Sequence, residues 1–326
     1  MRNLIYLMAA VVVFQAEYIY GQACCSAGTP ILSALEISAT PERTWQVVLT
    51  YEYNFLQDVV AGTEQLDDGT RQRLSQSFLL ETSYGFNRLF SISMLLSYIQ
   101  QERKLNSAND ENSDEKLITR GFGDAVILLK YNLLPITISS SRQISVGAGI
   151  KLPTGESGLR SNGILLPADM QPGTGARDGI LWGYVFQGLT ADSRYNLFAN
   201  TTYRFTGTND RFRLENTSIK GYKFGNEFVM TIGTAFRTRS LLDFSLLARY
   251  RHLVPDRFSG SEVSNTGGKW FYLVPGINLN FNQTSVRLSG QLPVYRDLNG
   301  IQLTTSYTAS LSLFYVFQSK TKGGSE

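Results

Sequence analysis

From Thr44 to Leu56 the sequence reads TWQVVLTYEYNFL, with Trp45, Val47, Leu49, Tyr51, Tyr53 and Phe55 on one side and Gln46, Thr50, Glu52 and Asn54 on the other. A period of two marks a β-strand, because successive side chains point to opposite faces. The alternation returns over residues 77–86, 89–98, 124–133, 143–152, 180–187, 195–205, 224–236, 242–252, 270–281, 286–295 and 303–317, about twelve strands in all. Most are close to the roughly 9–11 residues that a tilted strand needs to cross a bilayer, and longer than the roughly 5–6 of a soluble sandwich. The pattern predicts an all-β chain: a transmembrane, antiparallel, up-and-down β-barrel.

The connections point the same way. After the second, fourth, sixth, eighth and tenth strands they are short, as in NR, TADSR, RTRS and NQT, with LPITISSSR the longest. After the first, third, fifth, seventh and ninth they are long and polar, as in QQERKLNSANDENSDEKLITRG. Outer-membrane barrels have short periplasmic turns and long outer loops, whereas a sandwich has no reason for such regularity. An even strand count returns both ends to the periplasm.

Charge placement tests which side meets lipid. Trp45, Tyr51, Phe78, Ile92, Ile127, Trp182, Phe228, Phe244 and Leu311 are assigned to the lipid side. An Arg or Lys there at mid-depth costs roughly 2–4 kcal/mol, so mid-strand charges belong on the other parity. Glu52, Glu81, Asp124, Lys130, Lys151, Arg204, Glu227, Asp243, Arg249, Arg251 and Arg287 are expected in the lumen, sharing a side with Ser, Asn, Gly and Gln. Buried charges need partners, which predicts a cross-lumen ion-pair network. Tyr53, Phe86, Tyr98, Tyr131, Tyr250, Tyr315 and Phe317 suit interfacial girdles.

The chain starts MRNLIYLMAAVVVFQAEYIYGQACC, a basic residue, a short apolar run and then small residues, which reads as a secretory signal peptide over 1–23. The remaining divisions are a periplasmic segment over 24–43, the barrel over 44–317 and a tail over 318–326. Cys24 and Cys25, the only cysteines, fall at the processing junction. They are read as part of a plain N-terminal segment, with lipid modification of Cys24 and thiol metal binding as the other readings; with a single histidine, His252, stable metal ligation lacks donors, and no cofactor is expected. With 30 basic and 27 acidic residues the net charge is +3, and no dense basic run is interleaved with aromatics, which argues against nucleic-acid binding.

Three short runs depart from the alternation: GFGD (Gly121, Gly123, Asp124), KLPTGE (Lys151, Pro153, Thr154, Gly155) and QPGTGARDG (Gly173, Gly175, Asp178). Strand direction brings all three to the outer rim on neighbouring strands. A hairpin centred near Thr137 and Ile138 sets Asp124 about opposite Lys151, and Gly and Pro suit a tight rim. The run GTGARDG lacks the preceding strand and following helix of a phosphate-binding loop. The rim reads either as a closure motif or as a selectivity filter.

The order and spacing of these runs resemble the outer-membrane β-barrel family named for the MetA pathway of phenol degradation, related to long-chain fatty-acid and aromatic-hydrocarbon transporters. The resemblance implies an outer-membrane channel or transporter for small, often hydrophobic or aromatic compounds, with outer-membrane lipid and a small-molecule solute as partners. The alternative is a non-transporting barrel that anchors an envelope assembly, with residues 24–42 docking a periplasmic protein. Enzyme function is not expected: His252, on the lipid-facing parity, has no companion nucleophile motif.

Overall fold

The computed structural model describes residues 38–106, 114–136, 141–190, 192–213, 220–238 and 241–318. The signal peptide, Cys24, Cys25 and the tail from 319 onward lie outside the described residues.

The staves of the wall are β1 (Thr44–Gly62), β2 (Arg71–Gly85), β3 (Phe90–Asn106), β4 (Ala125–Leu134), β5 (Arg142–Leu152), β6 (Asp178–Gly188), β7 (Tyr195–Phe205), β8 (Glu227–Arg237), β9 (Leu242–Leu253) and β10 (Gly268–Asn280), followed by the long run Thr284–Gln318. That run is a hairpin: residues 285–298 pair with β10, and residues 301–318 pair with β1. It turns at Asn299 and Gly300, where φ of +72° calls for glycine. Its arms are β11 and β12, so eleven elements supply twelve antiparallel staves. Pairing of Thr44 with Gln318 through Ala61 with Ile301 closes the twelve staves into a ring.

Exposure shows which solvent the wall is built for. Leu49, Phe78, Leu129, Leu181 and Leu311 are among the most exposed large side chains, while Lys130, Lys151 and Arg204 are completely buried. A protein folded in water would reverse that order. Here the apolar residues clothe the outside and the charges fill the inside, which is the arrangement of a transmembrane barrel.

Three expectations need correction. Trp182 faces inward, as do Ile180 and Tyr184, while Leu181 and Val185 face out. Residues of β6 are apolar on both sides, so period alone gives no sign there. Second, residues 114–122, read as loop, form a further strand against the outer half of β3, directly above β4. Asp124 therefore does not open the fourth strand but sits at a break within a longer one. Third, the inner face is not only polar: Leu79, Leu95, Val126, Leu128, Val229 and Trp182 form one buried cluster within the barrel.

At the short-turn end, residues 38–43 fold against β2. Ala39 and Thr40 are buried, and Thr40 Oγ1 donates to Ser83 Oγ at 2.8 Å. At the long-loop end, the short strands Asn209–Arg213, Lys220–Lys223, Arg257–Phe258 and Ser261–Glu262 build a four-stranded cap. Phe212, Tyr222, Phe224 and Phe258 pack beneath it.

The parity of β6 is testable. Leu181→Arg is expected to destabilise the barrel by about 2–4 kcal/mol in equilibrium urea unfolding from lipid vesicles. An unchanged unfolding free energy would put Leu181 inside the barrel.

Candidate functional site

One inward-facing charged side chain comes from the long-loop end of each of β5 to β9, and Asp124 immediately precedes β4. Together they form a continuous belt. Lys151 Nζ lies 2.6 Å from Asp124 Oδ2 and 3.2 Å from Asp178 Oδ2. Arg204 then reaches Asp178 at 3.9 Å and Glu227 at 2.9 Å, and Arg251 Nε meets Glu227 Oε1 at 2.6 Å. The guanidinium of Arg251 stacks 4.8 Å over the ring of Trp270 on β10, whose Nε1 donates to Thr304 Oγ1 on β12 at 3.0 Å.

Register explains the continuity. Asp178 lies directly opposite Lys151, Arg204 opposite Glu227, and Arg251 opposite Trp270. The links between these pairs are diagonal, which long side chains can span. Acids and bases alternate, and Asp124, Asp178 and Glu227 balance Lys151, Arg204 and Arg251. The expected ion-pair network is present, and it hugs the wall rather than crossing the lumen.

The three glycine-bearing runs meet at one end of this belt. Asp124 accepts from the Gly155 and Thr174 amides at 3.0 and 2.9 Å and from the Thr174 hydroxyl at 2.7 Å. Thr154 Oγ1 accepts from the Ala125 amide at 2.9 Å, and Pro153 is exposed where β5 ends. A Cβ on Gly155 would stand 2.6 Å from the Gly123 carbonyl carbon and 2.9 Å from Gly173 Cα. Only glycine allows three backbone segments to approach so closely. A Cβ on Gly121 would meet the Glu156 carboxylate at 2.7 Å, and Gly175 takes the left-handed φ of +69°. The sequence sets Asp124 about opposite Lys151; in the structure Lys151 pairs with Val126, two residues on, and the ion pair forms on the diagonal.

From this junction the loop between β5 and β6 turns inward. Its short turn Ala168–Met170 is buried, with Met170 at 0% exposure. Asp169 Oδ2 pairs with Arg73 Nη1 at 2.9 Å, and Arg73 also donates to the Asp169 carbonyl and to Gln101. Gln171 clasps the loop, accepting from the Leu159 amide and donating to the Leu159 and Leu166 carbonyls. Arg73 is the third residue of β2, ahead of the alternation read over 77–86; Asp169 has no periodic neighbours to reveal it.

Elsewhere in the lumen, Lys130 lies 3.8 Å from Glu81 and 4.8 Å over the Trp182 ring. A cavity of about 210 Å³ lies between the inner faces of β1–β3 and β9–β12, with Glu52, Glu81, Arg249 and Arg287 in its lining. Asp243 is set apart at the short-turn mouth, accepting from Asn280 Nδ2 at 2.7 Å. His252 pairs in register with the outward-facing Phe228, away from all of these groups.

In the cap, Asp256 accepts from the Tyr222 hydroxyl at 2.6 Å and the Gly225 amide at 2.8 Å. Burial pushes its carboxyl up to about 6, against the opposing pull of those two hydrogen bonds. Burial and the adjacent carboxylate also raise the Tyr222 phenol.

The closed, inside-out sheet defines a transmembrane β-barrel of the outer-membrane type. A crystal structure of an outer-membrane channel from Pseudomonas putida F1 matches it with a TM-score of 0.64 at 12% identity, covering 86% of this chain and 97% of that one. The fold is shared, and it is the architecture that the family resemblance implied. The transport unit of the Escherichia coli autotransporter AIDA-I scores 0.48 at 10% identity, covering 90% of this chain and 95% of that one. The P. putida toluene transporter TodX scores 0.43 at 10% identity, covering 92% and 95%. Neither of these two likenesses carries weight at such scores. No protein-family model matches the chain, and no curated protein matches it.

Lys151→Met leaves Asp124 and Asp178 buried without their shared cation and is expected to cost about 3–5 kcal/mol in urea unfolding. Lys116→Met, which breaks the exposed pair with Glu102, is expected to cost under about 1 kcal/mol. For Asp256, a folded value above the ordinary 3.8 means that the folded cap favours the neutral acid. Its contribution is full below the ordinary value and is lost as pH rises through about 6. Protease protection of the cap is expected to fall over that window, and Asp256→Asn should flatten the dependence.

Proposed function

We propose that the chain is an outer-membrane channel for small hydrophobic or aromatic compounds, with its long loops outside the cell and its short turns in the periplasm. The observation that carries this reading is the lumen itself. Beneath the belt lies a cavity of about 210 Å³ whose lining includes Val48, Leu79, Leu95, Val274 and Phe314. A barrel serving only as an anchor has no need for an internal space large enough for a solute. Glu52, Glu81, Arg249 and Arg287 share that lining, so the space offers an apolar side and a polar one.

The inward loop between β5 and β6 closes the outer mouth in this reading, and the pair of Arg73 with Asp169 latches it. Asp169→Asn leaves the Arg73 charge buried without its counter-ion, which favours release of the loop. In planar bilayers the refolded wild-type protein is expected to show small, infrequent openings, and Asp169→Asn a several-fold higher open probability. Absence of conductance from both proteins, together with no solute flux into vesicles, would leave the barrel as an anchor of an envelope assembly.

A further inference from the structure

We propose that the cavity beneath the belt is a binding site for a small monocarboxylate with a compact apolar body, of which benzoate is the simplest aromatic case. The inference deepens the channel reading and rests on it for its biological role. Binding itself does not require transport.

Size comes first. An apolar cavity of about 150 Å³ admits benzene, so about 210 Å³ leaves room for one ring and a small polar group. The lining is divided to match. Leu79, Leu95, Val274 and Phe314 offer apolar surface, while Ser289 and Ser310 offer hydroxyls beside Thr50, which donates to Ser312 Oγ at 2.9 Å. A purely apolar solute would not use the polar side, and a purely polar one would waste the aliphatic side.

Charge then selects the polar group. Arg249, Arg287, Glu52 and Glu81 line the space, and Lys130 stands behind Glu81 at 3.8 Å. The two bases and two acids of the lining balance, and Lys130, paired with Glu81 from outside the lining, brings the group to +1. The inward acid of β9, Asp243, is turned to Asn280 and the Thr238 amide at the short-turn mouth. A single carboxylate would neutralise the site, and guanidinium groups bind carboxylates with matched planar geometry. Arg249 is braced by Gln291 and by Thr231, at 3.4 Å from Thr231 Oγ1, which holds its head on the cavity wall.

Isothermal titration calorimetry of the detergent-solubilised barrel with sodium benzoate, benzamide and benzylammonium tests the site. Benzoate is expected to bind at least about tenfold more tightly than either comparison compound. Arg287→Met should weaken benzoate by about tenfold and leave benzamide unchanged. Glu52→Gln should tighten benzoate several-fold, a gain that misfolding cannot produce. No benzoate binding, equal affinity for the three compounds, or benzoate affinity unchanged in both variants would overturn the proposal. Selective benzoate binding in a barrel without conductance or flux would keep the site and remove the channel reading. Flux without benzoate selectivity would do the converse.

Discussion

The charges inside this barrel are shut off from solvent, with Lys130, Lys151, Arg204, Asp124, Asp178 and Glu227 all buried, so the structure depends on how they are paired. The belt solves this by alternating sign from one stave to the next, so that interior members face opposite charge on both sides. Lys151 between Asp124 and Asp178 is the clearest case, and all three are buried. Removing one member strands two others, and such loss is far more damaging than the net worth of the pair when intact. The belt therefore contributes register as much as stability. A two-residue slip between β6 and β5 would break the directly opposed pair of Asp178 and Lys151, and a slip between β7 and β8 that of Arg204 and Glu227.

The belt and the inward loop are parts of one construction. Asp124 is bonded at once by Lys151, by the amide of Gly155 and by Thr174, so it fixes both ends of the loop that those residues bound. The contact of Gly123, Gly155 and Gly173 lets the backbone come near enough for these hydrogen bonds. At its far side the same loop is held by Arg73 on β2. The loop is thus tied to the wall at two places, by Asp124 at its root and by the pair of Asp169 with Arg73 further in.

Much of this was legible from residue order. Alternation and loop length yield the barrel because lipid imposes a strict period of two, and the cost of exposed charge assigns parity wherever a strand carries a mid-length Lys, Arg, Asp or Glu. Parity is lost where that marker is distant or missing. In β6 both faces are apolar, and only Asp178, four residues before Trp182 on the same parity, marks the inward side. Residues 114–122 lack the alternation, since Lys116, Ile118, Arg120 and Phe122 share one parity, and their charges look like those of a solvated loop. Asp169 and Gln171 lie in irregular backbone, where no periodicity links them to Arg73. Their pairing depends on a fold-back that only three-dimensional structure displays.

Strand number alone leaves the lumen undetermined. Barrels of about eight strands are filled by side chains and those of sixteen or more hold water, with twelve between. Here the filling is uneven. Near the belt, Trp270, Arg204 and Lys151 are fully or almost fully buried and the loop occupies the remaining space. On the side of β12 and β1, small inward residues such as Thr308, Ser310 and Ser312 replace large ones, and the space they leave is the cavity. The open part of the lumen is therefore placed by side-chain size along two staves, with Arg249 and Arg287 contributed by β9 and β11. Its charged groups differ from those of the belt in standing beside apolar surface, Leu79, Leu95, Val274 and Phe314, instead of closing a chain of ion pairs.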